Sequence, residues 1–149
     1  MLNPDFRDML SAFCAESVDF MLVGAYALAA HGYPRATGDI DLWIRCSDEN
    51  AQRVWRALLQ FGVPLFDLTI EDLKTPGIVF QVGIVPNRID ILTAIDAVGF
   101  EEAKAECKVV EIEGLQIPVI GRVHLLRNKK AAGRPKDQAD VAWLESGEE

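Results

Sequence analysis

The chain has 149 residues, half of them hydrophobic and about a quarter charged, a globular composition long enough for one substantial core and too short for two. A net charge of −8 argues against a surface coated for nucleic acid. Three scattered cysteines (Cys14, Cys46 and Cys107), with no C-x-x-C spacing, exclude a disulfide framework or zinc site and fit reduced thiols in the cytoplasm.

In chain order, Phe6, Met9, Leu10 and Phe13 recur at helical spacing and predict a first helix over residues 4–16. Residues 18–23 form a short apolar run of strand formers. Gly24 turns this strand into a small helix over 25–31, with Gly32 as its cap. The apolar run 20–30 is too short to span a bilayer, and Asp5 and Asp8 stand where a secretory leader would be basic, so no membrane association is expected. After a loop over 33–38, residues 39–45 read as a second strand. Ser47 caps a helix whose buried stripe is Val54, Trp55, Leu58 and Leu59 and which ends at Gly62. An irregular stretch follows, with a helical turn at 70–73. Residues 78–85 and 88–93 read as strands joined across Pro86-Asn87, a register that puts Gly83 opposite Asp90. A helix over 100–107, a hairpin of 108–112 with 115–120 turned by Glu113-Gly114, and two closing helices over 122–132 and 135–145 complete the chain. The expectation is a single α/β (α+β) domain over 1–149, with a mixed β-sheet flanked by helices in a core of about 18–120 and two C-terminal helices in a segment of about 121–145.

Three aspartates carry the chemical signal. Strand side chains alternate, so Asp39 and Asp41 share one face while Ile40, Leu42 and Ile44 enter the core. Asp90 repeats the pattern between Ile89 and Ile91, although Asp is a poor strand former. Two carboxylates about 4 Å apart repel by roughly 4 kcal/mol at an effective dielectric near 20. Such a cluster makes sense when divalent cations neutralise it, and Gly24-Ala25, at a strand-to-helix turn, offers free amides to an anion. Together these features point to phosphoryl-transfer chemistry. The basic residues are uneven: residues 114–136 hold 6 of the 15 and no acid, leaving 9 basic against 23 acidic, or −14, elsewhere. That segment reads either as a polyphosphate holder or as a solvated helix face.

The ordered set of Gly24-Ala25, a short helix, Asp39-Ile40-Asp41 and a later single Asp90 resembles the DNA polymerase beta-like nucleotidyltransferase superfamily. The stretch from Gly24 to Asp41 is similar to small bacterial members that include toxin–antitoxin components, and Ala131-Ala132-Gly133-Arg134-Pro135-Lys136-Asp137-Gln138-Ala139-Asp140 is similar to their closing motif. The resemblance covers residues 18–144 and implies the nucleotidyltransferase fold. It also implies transfer of a nucleoside monophosphate from a nucleoside triphosphate to an acceptor hydroxyl, with release of pyrophosphate. Asp39 and Asp41 would hold two Mg²⁺ (or Mn²⁺) ions. Asp90 would bind the metal at the acceptor and help deprotonate the hydroxyl. Gly24 and Ala25 would cradle phosphate, and Lys129 and Lys136 would neutralise the triphosphate. Arg35 and Thr37 would touch phosphate or sugar, or tie down their loop. Ala25 stands where many members have serine, which removes one phosphate ligand. The acceptor could be RNA such as a transfer RNA end, a protein or a small molecule, and an antitoxin-like partner is implied. The alternative is a non-catalytic binding protein or toxin–antitoxin component of the same fold.

Overall fold

The computed structural model describes residues 2–34, 38–84 and 87–147. Helix α1 (Pro4–Ala15) begins under the Asn3 side chain, which accepts from the Asp5 amide at 2.8 Å, and buries the expected stripe of Phe6, Met9, Leu10 and Phe13. Strand β1 (Phe20–Val23) is buried at every position and runs straight into α2 (Gly24–Ala30). Strand β2 (Ile40–Ile44) leads to α3 (Asp48–Phe61), where Ser47 Oγ accepts from the Asn50 amide and Gly62 closes the helix in the left-handed region. A 3-10 turn (Asp72–Lys74) precedes β3 (Val79–Val82) and β4 (Ile89–Leu92). Then come α4 (Phe100–Ala105), β5 (Lys108–Ile112), β6 (Leu115–Val119), α5 (Arg122–Ala132), a 3-10 turn (Pro135–Asp137) and α6 (Gln138–Ser146).

Among the described residues the strands form one six-stranded mixed sheet in the order β3-β4-β2-β1-β6-β5. β1 pairs antiparallel with β2 and parallel with β6, and β2 pairs parallel with β4. β3–β4 and β5–β6 are antiparallel hairpins. The mixed α/β architecture expected from the sequence is the one observed. No helix among the described residues is long and apolar enough to cross a membrane.

Three local differences are informative. Leu59 is 58% exposed, because the buried face of α3 runs through Asn50, Ala51, Val54, Ala57 and Leu58, and Leu59 lies one helical step beyond it. Gln81, not Gly83, stands opposite Asp90. The chain leaves β3 at Val82 and turns through Gly83 at φ 83°, and the Asn87 amide donates to the Ile84 carbonyl at 3.1 Å, so the connection is longer than two residues. Pro86, on which the shorter loop depended, lies outside the described residues. The third difference is Asn50, which is buried. Its Oδ1 accepts from the Asp19 amide at 2.7 Å, while its Nδ2 donates to the Asp19 and Arg45 carbonyls at 3.0 and 2.9 Å. One amide side chain thereby ties the start of β1 to the end of β2 and satisfies backbone groups that burial would otherwise strand.

Candidate active site

Strand pairing gathers the carboxylates. In the antiparallel β1–β2 ladder Val23 lies opposite Asp41, which brings the Gly24 turn beside that side chain. In the parallel β2–β4 ladder Asp41 lies opposite Asp90. Asp39 immediately precedes β2. All three line one cleft of about 610 Å³ together with Gly24, Ala25, Arg88, Lys129 and Lys136. Arg35 and Thr37 fall outside the described residues. Trp43, on the same strand face, is buried edge-on against Phe100 with ring centres 5.1 Å apart, so it packs and offers no surface to a base. The His31 ring Nε2 donates to the Ile120 carbonyl at 2.8 Å, which makes this residue a tie between α2 and the end of β6.

Gly24 is required by the geometry twice over. Its φ of +72° lies in the left-handed region, and a Cβ at this position would collide with the Asp41 carboxylate. We expect Gly24→Ala to lose about 2 kcal/mol of stability, since the left-handed backbone alone costs about 1–2 kcal/mol for a residue with a Cβ. Chemical denaturation measures this, and a variant within about 0.5 kcal/mol of the parent would contradict the close approach.

Arg88 is not among the residues the sequence singles out, yet it is the direct partner of the cluster. Its Nε donates to Asp90 Oδ1 at 2.7 Å and its Nη2 to Asp90 Oδ2 at 3.0 Å, while Nη2 also lies 3.2 Å from Asp39 Oδ2. The signal for it was available: a residue two before Asp90 on one strand shares its face. Among the described residues no three His, Cys, Asp or Glu side chains form a ready-made cage for one ion. Magnesium is commonly held by one or two carboxylates together with phosphates and water. The donor set fits such an ion, since it consists of hard carboxylate oxygens gathered on neighbouring strands beside a turn kept clear of side chain.

Burial, then the charge and hydrogen bonding of Asp90, then Asp39, push the Asp41 carboxyl up to about 6, with Lys129 opposing. The folded value is above the unfolded one, so the native state holds this proton more tightly. The associated stability is complete below about pH 3.8 and is lost as pH rises through about 6. Asp19 acts in the opposite sense. Burial alone would raise it, but hydrogen bonds from Arg45 and Lys104 hold it low, so its contribution is lost only as pH falls below the usual carboxylate range. Without metal, the urea midpoint should therefore fall between pH 5 and pH 7.5, and Asp41→Asn should flatten that fall. A midpoint that climbs steadily over this interval would refute the assignment.

The basic segment is mostly engaged internally. Arg127 pairs with Glu102 at 3.2 Å, Lys130 with Glu145 at 2.6 Å, and Arg134 with Asp137 at 2.8 Å. Arg122 lies 4.2 Å over the Trp143 ring and donates to its carbonyl. Lys129 is buried and sits 3.3 Å from Asp137 Oδ1 and 3.2 Å from Asp140 Oδ2. Lys136 lines the cleft, is exposed, and has no ion pair among the described residues.

No protein-family profile matches the chain, and no curated protein sequence does. Solved structures do match. A provisionally assigned nucleotidyltransferase from Thermotoga maritima aligns with a TM-score of 0.61 at 18% identity, covering 98% of this chain and 96% of its own. ANT(2")-Ia, solved in complex with adenylyl-2"-tobramycin, aligns with a TM-score of 0.59 at 16% identity, covering 93% of this chain and 84% of its own. At these identities the likeness concerns architecture, and the architecture of this chain is the nucleotidyltransferase fold.

Proposed function

We propose that the protein is a metal-dependent nucleotidyltransferase acting in the cytoplasm. The observation that supports this best is the pairing of Asp41 with Asp90 on adjacent parallel strands, in one cleft with Asp39 and the Gly24 turn. Asp39 and Asp41 would hold two magnesium ions (manganese could serve), with Asp90 sharing the one nearer the acceptor. When bound, the metal supplies positive charge for the triphosphate and acidifies the acceptor hydroxyl. The acceptor oxygen attacks the α-phosphorus, the bond to the β-phosphate oxygen breaks, and pyrophosphate leaves. Asp90 takes the hydroxyl proton. The bare Gly24 turn and the Ala25 amide leave room for phosphate, Lys129 and the exposed Lys136 amine would balance its charge, and Arg35 and Thr37 would touch phosphate or sugar or tie down their loop.

The acceptor class stays with the hydroxyl compounds named above. Adenylyl-2"-tobramycin in ANT(2")-Ia supports a small molecule as one of them. A transfer RNA end and a protein side chain are the others, and an antitoxin-like protein is proposed separately as a binding partner. Ala25, which lacks a phosphate-binding hydroxyl, favours the second reading, a non-catalytic binding protein or toxin–antitoxin component. Thermal unfolding with magnesium and each nucleoside triphosphate separates the two. A ligand at 100 times its Kd adds about 2.7 kcal/mol, or roughly 5–10 °C at this chain length. Magnesium-dependent stabilisation by one nucleotide, followed by labelling of an extract component from the α-phosphate, supports the enzyme. The absence of any nucleotide response rejects it.

A further inference from the structure

We infer that Asp140 is a positioning residue for triphosphate binding: with Asp137, it holds the Lys129 ammonium at the wall of the cleft. The inference rests on the nucleotidyltransferase reading and adds to it a residue that acts through another.

The side chains of Lys129, Asp137 and Asp140 are 7%, 2% and 3% exposed, and Arg134 joins them through Asp137. These four groups carry two positive and two negative charges. Burying the Lys129 ammonium and the two carboxylates costs heavily in lost hydration, while Arg134 stays half-exposed, and well-packed apolar side chains commonly stabilise a fold as well or better. Stability alone therefore explains the cluster poorly. Its location supplies a better reason, because all four residues line the catalytic cleft. A lysine has a long flexible stem and would otherwise carry its charge out toward water. Two carboxylates at 3.3 and 3.2 Å hold it instead. The backbone arranges this economically. Gly133 ends α5 at a φ of 60°, and the chain returns through the 3-10 turn so that Asp137 and Asp140 come back to Lys129. Lys129 lines the same cleft as Asp39, Asp41 and Asp90.

The test uses magnesium tripolyphosphate, the part shared by every nucleoside triphosphate, titrated calorimetrically into the full chain. Lys129→Met/Asp140→Leu removes one charge of each sign and leaves Arg134 with Asp137, so the fold should persist. We expect this variant to bind the probe at least about tenfold more weakly. Asp140→Asn should weaken binding several-fold while Lys129 remains, and Asp140→Glu should restore part of the loss. A folded double variant with parental affinity overturns the inference and leaves the nucleotidyltransferase reading intact. If the double variant fails to fold, equal affinities for Asp140→Asn and the parent overturn it. A parent that binds neither tripolyphosphate nor any nucleotide with magnesium overturns both.

Discussion

We expect Asp41→Asn to cripple the proposed nucleotide transfer while leaving the metal-free protein at least as stable as the parent. Asp41 sits between Val23 and Asp90 in the ladder, and an amide there cannot supply the negative oxygen that a hard cation needs. We expect a loss of at least about 10³-fold in turnover, equivalent to about 4 kcal/mol of barrier. Stability moves the other way. A carboxyl pushed up to about 6 by burial and by Asp90 disfavours ionisation in the folded state by about 2–3 kcal/mol relative to its ordinary value. Most of that strain disappears at pH 8 when the charge is removed. Transfer assays and denaturation of the same preparation check both halves. Retained turnover would remove Asp41 from the machinery, and a large loss of apo stability would reveal a structural role instead.

Lys129→Ala should give the largest stability loss among single changes at the site. It takes from the buried Asp140 the ammonium 3.2 Å away and leaves Asp137 with Arg134. Removing one partner of a buried ion pair costs about 3–5 kcal/mol, or roughly 10 °C in Tm for a chain of this size. The cycle closed by Asp140→Leu and the double variant should show strong coupling, because the two side chains are in direct contact. A loss below about 1 kcal/mol would mean that water reaches the cluster.

Much of this was legible before the fold was known. Apolar patterning located α1 and β1, and Gly133 the end of α5, to within a residue or two; alternation put Asp39 and Asp41 on one face, while Asp90 joins them only through the pairing of β4 with β2. Side-chain period is a local property, so it survives without a fold. The features that did not show depend on distant partners. The β3–β4 register is set by where the connecting turn closes, and Gln81 rather than Gly83 faces Asp90 for that reason. Arg88 could be placed on the right face, but its two-pronged bond to Asp90 and reach to Asp39 exist only once β2 and β4 lie side by side. Likewise the basic tract reads as a polyphosphate holder or a solvated helix face, while Glu102 from the preceding helix and Asp137 and Glu145 just beyond the tract pair with four of its six cations.

The parallel pairing of Asp41 with Asp90 has an evolutionary consequence. Neighbouring strands keep a nearly constant separation of about 4.8 Å, so the backbone, and no loop, dictates how far apart these two oxygen donors stand. Slipping the pairing by one residue would turn one member of the pair to the opposite face of the sheet. The rim is under less restraint: the edge strand β3 can change side chains while the inner spacing is inherited intact. Such a layout lets the periphery of the cleft diversify while the spacing of its two inner carboxylates is kept.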